Sequence, residues 1–411
     1  MVIMRTHIMR TLCFGKVSNK VKYFTVLALK RYEHTHTLCT LCQVRWFLHF
    51  FDERAGEYRM GGETVPSSSI SSVRHFFVVN PVCFDSRQKM ETVVAGIHRF
   101  FDGLGNSLPG VLPGHAVHVS RFPRDAIGAI RRFASAVPSG APLRVYAVGG
   151  DGILFDCLNG VVGLPNVELG IMPYGRHNDF YRVFGEKNRS IFNSLRMQLS
   201  APSVPVDVIC CSGNYALSHC HLGLEPLASA NIRKMREYFF IKWLVPAAFP
   251  NLYVNYICLV GAARYSAARQ NYHLWVDGED LSGIHLLIHI LNSSWYGGNL
   301  YFPDADPTDG CLDVVMSGDM GVLRLFKKAN KVLRALNEFK AGDKYITGYY
   351  EKYPDLIAYR RAKTVLLTSE EPLMFNLDGE LFYDKNVTVE IKPGAVRVIV
   401  PNFAFAAGAR P

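Results

Sequence analysis

The chain has 411 residues, 49% of them hydrophobic, and a formal net charge of +10. This length predicts two domains or more, and the apolar content is ample for real cores. Residues 1–59 hold ten basic and four acidic residues and so supply +6 of the total. The remainder is only mildly basic, which argues against a protein that wraps nucleic acid.

The amino-terminal segment has no clear hydrophobic period. Residues 1–70 are therefore predicted to be a disordered or spurious extension, with translation starting at Met60, and residues 403–411 to be a tail. Cys39 and Cys42 form a C-x-x-C, but a zinc site would need a second ligand pair at regular spacing. The ten cysteines are scattered, and no signal peptide is visible, so we expect reduced thiols in a cytoplasmic protein.

Membrane-spanning segments are not expected. The most apolar region, residues 238–263, is interrupted by Lys242, Pro246, Pro250 and two asparagines. A spanning helix needs about 20 mostly apolar residues without such breaks. This region is better interpreted as partly buried or interfacial structure.

Strand and helix patterns alternate from residue 74 onwards. Residues 74–79 predict a buried strand that ends in Asn80-Pro81, and residues 86–101 follow with helical spacing. Residues 115–120 predict a second strand, and residues 125–133 a second helix. This alternation is typical of a doubly wound α/β sheet.

A glycine-rich turn follows the next strand. The apolar run 145–148 ends in Gly149-Gly150-Asp151-Gly152, after which apolar residues recur at helical spacing. Glycines let the backbone approach a ligand closely, and a helix N-terminus offers free N–H groups and the positive end of a dipole. The turn therefore predicts a binding site for an anion such as a nucleotide phosphate.

A second turn follows the strand predicted at residues 168–172. It reads P-Y-G-R-H-N-D-F over residues 173–180. Beyond Arg189 the alternation gives way to short β-rich runs bounded by Gly, Pro, Asn and Asp, which predicts an antiparallel sandwich. These runs are 202–209, 274–276, 283–292, 312–316, 364–368, 373–377, 387–391 and 396–400.

Four motifs follow one another along the chain. They are the G-G-D-G turn at 149–152, the P-x-G-x-x-N-D-F turn at 173–180, the acidic run at 303–313 and Asp378-Gly379-Glu380. In this order they resemble the diacylglycerol kinase and sphingosine kinase superfamily of lipid kinases, over roughly residues 72–402. The resemblance implies an α/β nucleotide-binding domain (71–201), a β-sandwich domain (202–402) and an active site in the cleft between them.

The resemblance also implies an activity and its partners. The expected reaction is ATP-dependent transfer of the γ-phosphate to the hydroxyl of a membrane lipid alcohol, most simply diacylglycerol. The cofactors would be ATP and Mg²⁺. The protein would lie at the cytoplasmic face of the membrane as a peripheral protein that binds no nucleic acid, and a homodimer is left open.

Site residues are carried over from the family's motifs. The predicted catalytic residues are Glu380 as general base, Asp378, which would orient Glu380 or bind Mg²⁺, and Asp151, which would bind the Mg²⁺ of the donor phosphates or hold the acceptor hydroxyl. The residues predicted to hold the nucleotide are Asn80, Pro81, Ser120, Gly149, Gly150, Gly152, Gly175, Arg176 and Asn178. A structural Mg²⁺ site is predicted at Asp306, Asp309 and the carbonyl of Cys311.

Several alternatives stay open. Asp151 could equally be a turn-former that caps backbone N–H groups, and Asp378-Gly379-Glu380 a solvated hairpin turn. The chain departs from the family at Cys83-Phe84, Ile153 and Arg176-His177. The rival functions are a soluble NAD or sugar kinase, because such kinases also carry G-G-D-G, and a catalytically silent lipid-binding protein.

Overall fold

The computed structural model of the chain describes residues 73–107, 114–138, 140–237, 270–300, 302, 305–318 and 358–401. All of them belong to one compact unit, Val65–Pro411. The predictions for residues 1–70, for the run 238–263 and for the 403–411 tail lie outside the described residues.

Four parallel strands form the amino-terminal part of the sheet. They are β1 (Arg74–Val79), β2 (His115–Val119), β3 (Leu143–Gly149) and β4 (Val167–Pro173), in the order β2–β1–β3–β4. The crossovers carry helices α1 (Arg87–Ser107), α2 (Asp125–Ala136) and α3 (Asp151–Val161). Parallel strands joined by helices are the doubly wound architecture that the sequence predicted.

Helix α3 lies at the centre of the molecule. It is buried at every position from Ile153 to Val161, because the sheet, α2 and a later strand cover it on several sides. Its one buried amide, Asn159, donates to the carbonyl of Tyr215 and accepts from the N–H of the same residue. A helix that is buried on all sides is fixed in place by such packing.

The carboxyl-terminal part of the described chain is rich in strands. They are β5 (Ser203–Cys211), β6 (Asn214–Ala216), β7 (His219–Gly223), β8 (Gln270–Val276), β9 (Glu279–Asp280), β10 (Gly283–Leu291), β11 (Trp295–Tyr296), β12 (Asn299–Leu300), β13 (Leu312–Gly318), β14 (Ala358–Ala362), β15 (Thr364–Leu377) and β16 (Glu380–Ile399). Three helices accompany them, α4 (Arg189–Phe192), α5 (Leu195–Ser200) and α6 (Leu224–Glu237).

These strands curl around one apolar core. Strands β7 and β8 each pair antiparallel with both β10 and β15, so the sheet turns back on itself. Leu222, Leu274, Ile288 and Phe375 from the four strands are all buried in the same cluster. The expectation of an α/β domain followed by a β-rich, sandwich-like domain is confirmed.

Strand β16 joins the two parts. Its first residues pair with β15, and its last ones pair antiparallel with β5 and parallel with β4 at Arg397 and Val398. Val396, Val398 and Val400 consequently pack in the core of the α/β sheet. The carboxyl end of the described chain therefore returns to the amino-terminal sheet.

Within the described part of the chain, no helix is long and apolar enough to cross a membrane.

Candidate functional site

The carboxyl ends of β1, β3 and β4 bring the two glycine turns together. The N–H groups of Tyr174 and Gly175 both donate to the carbonyl of Gly149, at 2.8 and 2.9 Å. Asn80 follows β1, and a Cβ atom on Gly149 would lie only 3.0 Å from its Cβ. In doubly wound sheets ligands bind at this edge, outside the carboxyl ends of the strands.

Gly175 packs directly on the backbone of Gly150. A Cβ atom on Gly175 would overlap the Cα of Gly150 and lie 3.0 Å from its nitrogen. The side-chain amide of Asn178 closes the turn by donating to the carbonyl of Gly175 at 2.5 Å. The two predicted nucleotide turns therefore form a single backbone unit with room only for glycine.

Substitution of Gly175 by Ala should disturb this unit. The added methyl forces the two backbones apart, which we expect to cost about 1–3 kcal/mol of unfolding free energy and to weaken ATP binding. Thermal unfolding and calorimetric ATP titration measure the two effects. Gly103→Ala in α1 is the control, because a Cβ atom there would meet nothing within 4 Å beyond the neighbouring backbone of its own helix. A Gly175→Ala protein with normal ATP affinity would contradict the assignment.

Asp151, the first residue of α3, ties the two turns together through its side chain. Its carboxylate oxygens accept the N–H groups of Asn178 at 2.9 Å and Asp179 at 2.8 Å. Asn178 has a positive φ of 51°, a conformation that this anchoring supports. Asp151 therefore caps backbone N–H groups, which was one of the two roles that the sequence left open. It does so at the centre of the predicted site.

Asp179 was missed as a site residue, although it belongs to the N-D-F motif. Its carboxylate accepts the N–H groups of Gly297 at 2.7 Å and Gly298 at 2.6 Å, in the turn between β11 and β12. Burial, and next the charge of Asp151, raise the pKa of Asp179 to about 7. Asp179 therefore connects the nucleotide turn to the β-rich domain.

Asp378 anchors the turn that carries Glu380. Its carboxylate accepts three backbone N–H groups, from Leu217 at 2.7 Å, Ser218 at 3.0 Å and His219 at 2.9 Å. Both Asp378 and Gly379 have positive φ angles. Burial raises the pKa of Asp378 to about 7. Of the two roles predicted for Asp378, these contacts favour orientation of the turn.

Glu380 faces the amino-terminal turn of α3. Its Oε1 lies 3.8 Å from the position that a Cβ atom on Gly152 would occupy. Asp156 lies about one turn further along the helix. Its pKa is raised to about 6, mainly by burial and also by the charge of Glu380. Two motifs that are more than 200 residues apart in the sequence therefore meet in space.

The other predicted nucleotide contacts differ in their surroundings. Pro81 opens a short 3₁₀ turn that Asn80 caps by accepting the N–H of Val82 at 3.1 Å. The hydroxyl of Ser120 donates locally to the carbonyl of Phe122, and Arg176 is exposed at the rim. For all four residues, as for the glycines of the two turns, nucleotide contact remains a prediction.

Cys83 compensates for one departure from the family pattern. Its thiol lies against the G-G-D-G turn, 3.3 Å from a Cβ position on Gly149 and 3.7 Å from one on Gly150. Burial raises the pKa of this thiol, which keeps it protonated. Cys83 thus supports the turn at the place where the family has serine.

The residues predicted to hold a structural Mg²⁺ ion do not fit it well. Asp309 forms an ion pair with Arg361 and accepts the N–H of Cys311, and Asp306 accepts from both the N–H and the hydroxyl of Thr308. A guanidinium group already neutralises the carboxylate that a metal would need. Among the described residues, no three His, Cys, Asp or Glu side chains are grouped to hold a metal ion.

Thermal stability should therefore not depend on Mg²⁺ at this loop. We expect chelation of divalent ions to leave the melting temperature unchanged, and Asp309→Asn and Arg361→Met each to cost at most about 1 kcal/mol because the pair is partly exposed. The double variant should cost no more than either single one. A stabilisation by Mg²⁺ that disappears in Asp309→Asn would restore the metal site.

Comparison with known proteins supports the same assignment. The diacylglycerol kinase catalytic domain matches residues 95–211, and the YegS C-terminal NAD kinase beta sandwich-like domain matches residues 248–400. A Staphylococcus haemolyticus protein named "Putative lipid kinase" is 24% identical over 314 residues, which are 74% of this chain and 92% of that protein. A Staphylococcus aureus protein of the same name is 25% identical over 263 residues, 63% of this chain and 77% of the relative.

A solved structure shares the fold. The crystal structure of a diacylglycerol kinase from Bacillus anthracis superposes with a TM-score of 0.53 at 20% identity, covering 80% of this chain and 96% of the other. The two family models and the relatives confirm the resemblance stated from the motifs. Together with the shared fold, they support a kinase of the diacylglycerol kinase-like superfamily of lipid kinases.

Proposed function

We propose that the protein transfers the γ-phosphate of ATP to the hydroxyl of a membrane lipid alcohol, most simply diacylglycerol. The observation that carries this proposal is the meeting of Glu380 with the G-G-D-G turn at Gly152. Phosphoryl transfer requires that the donor be held and the acceptor hydroxyl be positioned, with little covalent chemistry by the protein. A carboxylate beside a phosphate-binding turn meets both requirements.

The donor side is built from backbone groups. The first turn of α3 presents N–H groups and the positive end of the helix dipole, which favours the phosphates of ATP. Asp151 and Asn178 hold the two turns in register through their hydrogen bonds. The Mg²⁺ ion that accompanies ATP would neutralise charge on the phosphates.

The acceptor side is built around Glu380. A lipid hydroxyl has a high pKa and must lose its proton as it attacks phosphorus, and a carboxylate within hydrogen-bond reach can accept that proton. Asp378, held by three N–H groups, fixes the turn so that Glu380 projects towards α3. The acceptor would be reached from the cytoplasmic face of the membrane by a peripherally bound enzyme.

The proposal is tested by incubating the full chain with γ-labelled ATP, Mg²⁺ and membrane lipids in detergent micelles. We expect label in an organic-soluble phospholipid, with dioctanoylglycerol as a defined acceptor. Parallel reactions with NAD and with fructose 6-phosphate test a soluble acceptor. Label in the aqueous products alone would overturn the lipid assignment, and absence of ATP binding by calorimetry would favour a silent homologue.

A further inference from the structure

A cluster of buried histidines lies beside the turn that carries Glu380. His219 and His221 are on the same face of β7, and His289 on β10 is paired with His221 in the strand register. The ring centroids are 4.4 Å apart for His219 and His221 and 4.3 Å apart for His221 and His289. Most of the surrounding β-rich core is apolar, so this polar cluster requires an explanation.

The cluster contacts both loops of the candidate site. His219 donates its backbone N–H to Asp378, and its ring packs on Tyr296 with centroids 4.8 Å apart. Tyr296 directly precedes Gly297 and Gly298, whose N–H groups bind Asp179. The histidines thus lie between the Glu380 turn and the hairpin that is tied to the nucleotide turn.

A buried carboxylate borders the cluster. Glu225, in the first turn of α6, accepts hydrogen bonds from the hydroxyl of Ser229 at 2.5 Å, from the amide of Asn376 at 3.0 Å and from the hydroxyl of Tyr296. Its Oε2 is 3.7 Å from Nδ1 of His221, which is beyond hydrogen-bond distance. The carboxyl groups of Glu225 and Asp378 therefore both lie next to the two histidines of β7.

The rings of His219 and His221 have unused hydrogen-bonding capacity. The two residues are 5% and 0% exposed, and none of their four ring nitrogens has a hydrogen-bond partner among the described residues. Nδ1 of His219 lies 3.7 Å from a carboxylate oxygen of Asp378. Burial lowers the pKa of His219 to about 3, so the ring is neutral and offers one donor and one acceptor. An apolar residue would avoid the cost of burying such groups.

We propose that His219 and His221 form the polar end of the acceptor site and hydrogen-bond the oxygen atoms next to the reacting hydroxyl of a neutral glycerol lipid. This inference rests on the proposed function. A neutral imidazole can donate to an ester carbonyl and accept from a hydroxyl. The neighbouring carboxylates would repel a lipid that already carries a phosphate. His219, next to Asp378, would make the first contact, with His221 behind it.

The test compares His219→Phe with His219→Gln, using 1,2-dioctanoyl-sn-glycerol in detergent micelles as the acceptor. Phe keeps a buried ring and removes both nitrogens, whereas Gln restores a donor and an acceptor. We expect His219→Phe to raise the KM for dioctanoylglycerol about tenfold, with an unchanged KM for ATP and an unchanged or higher melting temperature. His219→Gln should recover part of the loss. His273 is exposed on β8, so His273→Gln is the matched control.

A purely structural histidine would behave differently. An unchanged KM for dioctanoylglycerol in His219→Phe would overturn the inference, as would equal rises in both KM values together with a lower melting temperature. If the Phe variant does not fold, His219→Leu, which also lacks both ring nitrogens, is tested with a dialkyl ether analogue that lacks the ester carbonyls. Wild type should prefer the diacyl over the ether lipid, and the preference should disappear in His219→Leu; an unchanged preference would refute the proposal.

Failure of the inference and failure of the proposed function are distinguishable. A wild-type protein that phosphorylates dioctanoylglycerol while His219→Phe shows the same kinetics removes only the histidine assignment. A wild-type protein that neither phosphorylates the lipid nor gains thermal stability from it in the absence of ATP removes both.

Discussion

The Glu380→Gln protein should bind ATP as the wild type does but turn over lipid about 10²- to 10⁴-fold more slowly. Gln keeps the size and the hydrogen-bonding ability of the side chain but cannot accept a proton at neutral pH. Glu380 lies beside Gly152, where an attacking hydroxyl and the γ-phosphate would meet. Initial rates with dioctanoylglycerol and calorimetric ATP titration measure the two quantities separately.

The chain contains its own control for this substitution. Asp277-Gly278-Glu279 repeats the D-G-E sequence, but Glu279 is exposed and paired with Arg360 at 2.8 Å. Glu279→Gln should therefore leave turnover within about twofold of wild type, because exposed ion pairs contribute little. If both variants retained wild-type turnover on the correct lipid, Glu380 would not be the base, and Asp151 would be the next candidate.

Local sequence patterns were sufficient to predict the strands and helices of the α/β sheet. The first strand was predicted at residues 74–79 and is observed at Arg74–Val79, because a parallel strand that is buried beyond its first residue appears as a nearly continuous apolar run. The helix after G-G-D-G was also predicted, since its start coincides with a glycine turn. Patterns of this kind depend on neighbours in sequence, which a single chain displays directly.

Contacts between distant segments could not be predicted in the same way. Asp179 binds Gly297 and Gly298, and Arg361 pairs with Asp309, although the partners are far apart in the sequence and no local pattern specifies these contacts. The histidine cluster depends on the register of β7 against β10, and a shift of one residue would separate His221 from His289. The motif order identified which loops are functional, but only the fold shows which side chains join them.

Asp151→Asn should lose nearly all turnover and, in addition, melt at a lower temperature. Both carboxylate oxygens of Asp151 accept N–H groups, from Asn178 and Asp179. An amide offers only one oxygen, so its NH₂ group must face one of these donors, which should cost about 1–3 kcal/mol. The structure predicts a loss of both thermal stability and turnover, which differential scanning calorimetry and the lipid kinase assay would detect.

Asp179→Asn should separate the effect on ATP binding from the effect on turnover, whereas Asp151→Asn combines them. The carboxylate of Asp179 binds Gly297 and Gly298 in the β-rich domain, so its loss should spare ATP binding and slow turnover. Asp151→Asn should impair both, because the 178–179 turn also positions Asn178 against Gly175. ATP titrations with and without Mg²⁺ add a further distinction. An affinity defect of Asp151→Asn seen only with Mg²⁺ would identify Asp151 as a ligand of the nucleotide's metal, whereas a defect under both conditions would show that its role is to hold the two turns together.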